Sequence, residues 1–213
     1  HPYDEFAIEE AVKTKEKFGG ETVVISVGDD SNKAIMTKAL AMGIDSGLLL
    51  KTQDTLDSNG VATLLAEEIK ASGYDIVFMG KQSVDYDTSM VGQLAAAKAG
   101  LNCITVCVSL NIENGSVTAE REIEGGREVV KSSLPVVITA QKGLNDPRYP
   151  NLKGIMDAKR KKLEERPVTA PAPLVEVVEM FLPNPKAPGR ILGTDSSAVP
   201  ELVRLLREEA KVI

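Results

Sequence analysis

Three short apolar runs, residues 22–27 (TVVISV), 47–50 (GLLL) and 75–79 (DIVFM), constrain this chain more than any other feature. Each is short enough for a buried strand, and each is separated from the next by a polar turn and a stretch of helical period. A helix over residues 4–18 comes first, with Ala7, Ile8, Ala11 and Val12 as its apolar stripe and Glu5, Glu9 and Glu10 near its favourable end. Residues 28–31 read as a turn and N-cap for a helix that runs to about Met42. A third helix turns Val61, Leu64, Leu65 and Ile69 inward and closes at Gly73. A fourth, small-residue helix ends at Gly100. Strand and helix in strict alternation with short connections define an α/β, Rossmann-like, mainly parallel sheet. Residues 22–27 are apolar on both faces except at Ser26, which places them between helices on both sides.

The pattern changes at Cys103. Residues 103–110, 117–123 and 128–131 are β-rich and separated by the turn signals Asn114-Gly115 and Gly125-Gly126, which predicts an antiparallel excursion beside the parallel sheet. Leu134-Pro135 leads into a further buried strand, 136–140. Residues 144–166 begin as a proline-rich loop and continue as a charged segment of helical character. From Pro167 to Pro188 six of the eleven prolines enclose an apolar island, LVEVVEMFL, which reads as an extended arm. Asp195 or Ser196 can cap a last helix with Val199, Leu202, Val203 and Leu206 on one face. The expected division is therefore an α/β domain over 1–166 and a C-terminal arm plus helix over 167–213. Exposed apolar residues on such an arm point to association with a partner subunit.

Composition excludes several function classes. A net charge of −6 over 213 residues offers no basic face for nucleic acid. No apolar run approaches membrane-spanning length, so no membrane insertion is expected. No signal-peptide pattern opens the chain, but it starts at His1 rather than Met, so its N-terminus reads as removed and a targeting segment would lie outside it. His1 is the one histidine, which removes Ser-His-Asp and Cys-His nucleophilic sites and histidine-based zinc sites. No catalytic residue and no metal site are expected. Cys103 and Cys107 would stand roughly 13 Å apart along a strand, too far for a disulfide, and read as packing thiols. That cysteine usage suits the bacterial cytoplasm.

The segment 80–93, GKQSVDYDTSMVGQ, lies between the carboxyl end of a strand and a helix start, where open α/β sheets bind ligands. Backbone N–H groups at the helix start, with Thr88 and Ser89, can hold a phosphate. The same stretch is also an ordinary capped connection. Asp85 and Asp87 suit hydrogen bonds to a ribose or to backbone N–H groups better than a metal pair. Ser26, Gly28 and Ser31 follow the strand 22–27. If that strand neighbours 75–79, the two loops meet at one crevice. Neither a GxGxxG fingerprint nor a P-loop is present. The run Lys159, Arg160, Lys161, Lys162 is either a solvated helix face or a docking patch for an acidic partner. Leu152, Ile155 and Met156 beside it are either an apolar anchor or core. On these grounds an ATP-binding stress-type or α-hydrolase-like protein and a pure interaction module both stay open.

Longer stretches are more specific. AEREIEGGREVV (119–130) with LPVVIT (134–139), PYDEFAIEEAV (2–12), ALAMGID (39–45), GKQSVDYDT (80–88) and LNDPRYPNLKGIMDAKRKK (144–162) resemble, in order and over nearly the whole chain, the beta subunit of electron transfer flavoprotein. The resemblance implies a heterodimer with an alpha subunit that carries the redox FAD and shuttles electrons from acyl-CoA-type dehydrogenases. It implies a beta subunit that holds AMP or, in electron-bifurcating members, a second FAD that takes hydride from NADH. It implies a nucleotide site at Pro2, Tyr3 and Asp4, at Val27, and at Gly80, Lys81, Gln82, Ser83, Val84, Asp85, Asp87, Thr88, Ser89, Met90 and Val91. The family's first motif opens Asn-Pro where this chain has His1-Pro2. Its opening strand is absent from this sequence, so part of the adenine pocket is expected to be missing or disordered. The form DYDTSMVGQ resembles the second-FAD members more than the AMP binders. Residues 144–157 match the recognition loop that docks dehydrogenases, with Leu152 as anchor and Tyr149, Ile155 and Met156 around it. The arm and last helix match the extension that wraps the alpha subunit. The implied compartment is the bacterial cytoplasm, or the mitochondrial matrix in a eukaryote.

Overall fold

Leu48, Leu49 and Leu50 are 5%, 0% and 2% exposed, and the first half of the molecule is arranged around them. They lie in β2 (Ser46–Lys51), which pairs in parallel with β1 (Val23–Gly28) on one side and β8 (Leu163–Pro167) on the other. Each such leucine contributes about 1.5–3 kcal/mol of burial. The computed structural model describes residues 2–186 and 188–213. His1 lies outside the described residues.

Before and between these strands come α1 (Pro2–Phe18), α2 (Asn32–Met42) and α3 (Ser58–Ser72), followed by β3 (Ile76–Gly80) and α4 (Val91–Ala99). The Asp57 carboxylate caps α3 by accepting the Gly60 N–H at 2.7 Å. Gly73 and Gly100, at φ of 64° and 75°, close α3 and α4 in the left-handed conformation that a side chain would strain. The second sheet runs β3, β7 (Val136–Ala140), β4 (Asn102–Glu113), β5 (Ser116–Ile123), β6 (Gly126–Ser133). β3, β7 and β4 are parallel, while β4, β5 and β6 form an antiparallel meander. Its first turn is Asn114-Gly115, both at positive φ, the pair that a two-residue hairpin favours. The fold is thus α/β and mainly parallel, with the antiparallel excursion where the turn signals placed it.

Three local expectations need correction. β1 is half-buried along its whole length, rather than enclosed; among the described residues it is an edge strand, hydrogen-bonded to β2 alone. β1 and β3 do not pair and belong to different sheets. The charged segment after residue 158 is not helical: α5 spans only Leu152–Ala158, and LEERP continues as β8. An open parallel edge on β2 accepts backbone hydrogen bonds whatever the side chains are. The charges are then met by cross-pairs, Lys51 and Lys33 with Glu165 at 2.9 and 2.6 Å, and Arg166 with Glu68.

The chain forms two compact units, one up to Glu176 and one from Val177 onward. Residues beyond β8 stay with the first unit: the Val168 N–H donates to Lys51 O at 3.0 Å, and those of Leu174 and Val175 donate to Asp57 at 2.8 and 3.1 Å. In the second unit Asp195 caps a 3-10 turn (Ser196–Ala198) through the Ser197 N–H. α6 (Val199–Glu208) follows, braced by Arg204 to Glu201 and Glu208. Val178, Phe181 and Leu182 are 94%, 81% and 91% exposed. No helix among the described residues is long and apolar enough to cross a membrane.

Candidate functional site

β3 ends at Gly80, and its backbone there meets the start of α1. The Gly80 N–H donates to Asp4 Oδ1 at 2.9 Å. A Cβ on Gly80 would sit 2.5 Å from that oxygen and 2.9 Å from the Asp4 nitrogen, so only glycine lets the strand and helix approach this closely. Beside it the Lys81 ammonium lies 5.0 Å from the Tyr3 ring centre, within cation–π range. The structure therefore brings Pro2, Tyr3 and Asp4, the first turn of α1, together with Gly80 and Lys81.

From Gln82 onward the segment closes on itself. The Ser83 N–H donates to Thr88 O at 3.0 Å, and the Ser83 and Thr88 hydroxyls are 3.1 Å apart. The Gln82 amide donates to the Asp87 carboxylate, and Asp87 itself adopts φ of 56°. The Ser89 hydroxyl donates to Lys81 O at 2.9 Å. Hydrogen bonds from the Ser83 hydroxyl and the Tyr86 N–H hold the Asp85 carboxyl below its ordinary range. Val84 and Met90 project outward, 57% and 48% exposed.

α4 then starts at Val91 without a side-chain cap, because its N-cap residue is Met90. The first-turn N–H groups of Val91, Gly92 and Gln93 have no intrahelical acceptors, and the Met90 side chain at the N-cap makes no bond to them. Gln93 Oε1 nearby is buried and accepts no hydrogen bond. α3 and α5 are capped by Asp57 and Asn151, whereas α2 and α6 also start without a side-chain cap; what sets the start of α4 apart is its place after the carboxyl end of β3. Val27 lies in β1 of the other sheet, where its carbonyl accepts the Asn32 side-chain amide at 3.1 Å. That amide also holds the Ser26 hydroxyl at 2.8 Å.

The second surface is built on α5. Tyr149 is 95% exposed, Leu152 78%, Met156 60% and Ile155 46%, so these are surface residues rather than core. Of the adjacent basic run, Lys161 is not part of a solvated face. Its ammonium donates to Leu40 O at 2.8 Å and Ile44 O at 2.6 Å, meeting carbonyls at the end of α2. Lys162 pairs with Glu164 at 2.8 Å. Sequence reasoning missed Arg148, and it placed Glu9 and Glu10 only near the favourable end of α1. Both are buried, at 5% and 8% exposure. At about 3.6 residues per turn both fall outside the stripe of Ala7, Ile8, Ala11 and Val12, so local periodicity does not mark them for burial.

Both cysteines are free thiols, and burial raises each above its ordinary range. Val106, at φ of 56°, makes a bulge that shifts the register between Ile104 and Cys107. Cys107 is fully buried, and burial pushes its thiol up to about 11.

A mainly parallel α/β unit belongs to the class of open α/β sheets, whose loops at the carboxyl ends of the strands are the usual place for ligands. Comparison with known proteins narrows the class. Residues 1–171 match the family model described as the electron transfer flavoprotein domain. The chain is similar to the electron transfer flavoprotein subunit beta of Bacillus subtilis, 39% identical across 100% of this chain and 87% of that protein. It is similar to that of Syntrophomonas wolfei, 38% identical across 89% and 75% respectively, and to the mitochondrial beta subunit of Arabidopsis thaliana, 32% identical across 100% and 86%. The chain belongs to the electron transfer flavoprotein family, as a beta subunit. That membership replaces the ATP-dependent alternative left open by the strand and helix alternation.

Proposed function

We propose that this chain is the nucleotide-holding half of a heterodimer with an electron transfer flavoprotein alpha subunit, and that the pair carries electrons between dehydrogenases and an acceptor. The observation that carries the nucleotide reading is the uncapped start of α4 at the carboxyl end of β3. Its donors suit a phosphate, which would satisfy them in place of a cap. The buried, unpartnered Gln93 Oε1 adds an acceptor for a ribose hydroxyl or an adenine amine. Thr88 and Ser89 would flank the phosphates, with Gln82, Ser83, Val84, Asp85, Asp87, Met90 and Val91 shaping the loop. Pro2, Tyr3 and Asp4 would brace Gly80 and Lys81, and Val27 would contribute backbone. Asp85, kept ionised by its neighbours, acts here as a positioning group.

The nucleotide is FAD or AMP, and the form DYDTSMVGQ favours the FAD of the electron-bifurcating members. A bound flavin supplies the redox chemistry itself, whereas AMP supplies none. This chain's residues bind, orient and exclude water. Tyr149, Leu152, Ile155 and Met156 would receive an acyl-CoA-type dehydrogenase, and the exposed arm with α6 would pack on the alpha subunit. The division into an α/β nucleotide-binding part and a C-terminal wrapping part follows from that. The compartment would be the cytoplasm in a bacterium or the mitochondrial matrix in a eukaryote.

The test is to co-express the chain with its alpha partner, release the bound nucleotides and identify them. Two flavins per heterodimer support the bifurcating form, and stopped-flow reduction by NADH should then be seen. One flavin and one AMP support the simple carrier. A colourless heterodimer without nucleotide would sink the proposal.

A further inference from the structure

The segment that carries Tyr149 and Leu152 is irregular, yet its polar groups are tied firmly to α1. The Arg148 Nε and Nη2 donate to the two oxygens of Glu9, both at 2.9 Å. Nη1 and Nη2 donate to the two oxygens of Glu16 at 2.6 and 2.9 Å. The Arg148 backbone N–H adds a bond to Glu9 Oε2 at 3.0 Å. Glu9 and Glu16 are about two helical turns apart, so one guanidinium spans a single face of α1. Asn145 makes a second tie, donating to Phe6 O and Glu10 Oε2, both at 2.9 Å. From the other side Gly154 lies so close to α2 that a Cβ would come within 2.4 Å of Ala41 O.

These ties differ from ordinary stabilisation in what they leave out. A loop held for stability alone would turn its large apolar side chains inward. Here charge and amide contacts hold the backbone, while Tyr149, Leu152 and Met156 stay more than half exposed. Bidentate arginine–carboxylate contacts fix orientation as well as distance. A surface already ordered pays less entropy when a partner arrives.

We propose that Arg148 is a positioning residue for partner docking. It fixes the 144–151 loop on α1 so that Tyr149 and Leu152 are presented in their bound arrangement before the partner binds. This rests on the reading of residues 149–156 as the dehydrogenase-docking surface.

The experiment uses the full heterodimer, with an acyl-CoA dehydrogenase reduced by its acyl-CoA as electron donor. Arg148→Met, Arg148→Lys and Leu152→Ala are compared with wild type. Arg148→Met is expected to raise the KM for the heterodimer about tenfold, the equivalent of ~1.4 kcal/mol, with kcat within about twofold and an unchanged flavin spectrum. Amide exchange over residues 144–151 should quicken about tenfold, and Arg148→Lys should recover part of both effects. If Leu152→Ala raises KM while Arg148→Met changes neither KM nor exchange, the inference is overturned and the docking reading survives. If Leu152→Ala leaves KM unchanged, the docking reading fails and takes the inference with it. A fall in kcat or flavin content at unchanged KM would make Arg148 merely structural and also overturn it. Should Arg148→Met fail to assemble, Glu16→Ala decides, because it spares the Glu9 contacts. KM and exchange should then rise about threefold, and wild-type values for both would refute the role.

Discussion

The loops 80–91 and 144–151 belong to the same α/β unit but are held in opposite ways. The first closes mostly on itself, through Ser83 with Thr88, Gln82 with Asp87 and Ser89 with Lys81. Its contacts with other elements include those of its first two residues, Gly80 to Asp4 and Lys81 to Ala140 O. The second makes its strongest bonds to another element, α1, through Arg148 and Asn145. A loop bonded to itself can keep its internal shape while its open donors adjust to a ligand. A loop bonded outward presents whatever it does not use for anchoring, which here is apolar surface. Both are fastened to the same helix, by Asp4 in its first turn and by Glu9, Glu10 and Glu16 further along.

The comparison breaks most severely at Gly80. In Gly80→Ala the new methyl would meet Asp4 at 2.5 Å, costing about 1–3 kcal/mol of stability. Bound nucleotide should be lost with it, as seen in a lower melting temperature and in the nucleotide released on denaturation. If Gly80→Ala retains full nucleotide, α1 does not brace that loop. Leu152→Ala should do the reverse. The residue is 78% exposed, so stability should change by less than about 0.5 kcal/mol, while affinity for the dehydrogenase falls by about 1–2 kcal/mol at normal nucleotide content. Steady-state electron transfer at varied heterodimer concentration measures it.

Smaller again is Ser89→Ala. It removes the hydroxyl bond to Lys81 O, worth about 0.5–1.5 kcal/mol. Nucleotide affinity should weaken without any change in the KM for the dehydrogenase, which isothermal titration with the stripped heterodimer would show. An effect on docking instead would mean that the two loops are coupled through α1.

The smallest effect is electrostatic. The Arg148 hydrogen bonds hold Glu16 below its ordinary 4.5. A carboxylate depressed in the folded state contributes stability above its unfolded value and loses it as pH falls through the folded one. The Glu16 midpoint, followed by NMR, should therefore rise toward 4.5 in Arg148→Met. An unmoved midpoint would mean that the contact does not persist in solution.

Much of this arrangement was legible in the sequence where one local rule governed the outcome. The helices closed at Gly73 and Gly100 and the hairpin at Asn114-Gly115 each depend on backbone preferences of one or two residues, whereas Asp195 caps the 3-10 turn and not α6 itself. Residues 163–167 were not legible as a strand, because LEER carries no apolar alternation. What makes it β8 is the free edge of β2, a property of a distant segment. The clamp on Glu9 was hidden for a related reason. Glu9 lies beyond the first turn of α1, and nothing local announces that an arginine 139 residues away will cover it.

The sequence by itself determined that this is an α/β chain with alternating strands and helices, and that a polar glycine-bounded loop follows β3. It also determined that the second half carries a β meander and an apolar arm, because periodicity, turn residues and composition act over a few neighbouring residues. Its ordered signatures further placed it with the beta subunits of electron transfer flavoproteins. Only the tertiary structure decided that β1 and β3 lie in separate sheets, that β8 completes the first of them, and that α4 begins uncapped. It alone decided that Arg148 joins the 144–151 loop to α1. Those outcomes depend on which unsatisfied backbone groups and buried charges meet across long stretches of chain, and every such group must find its partner wherever the fold brings one within reach.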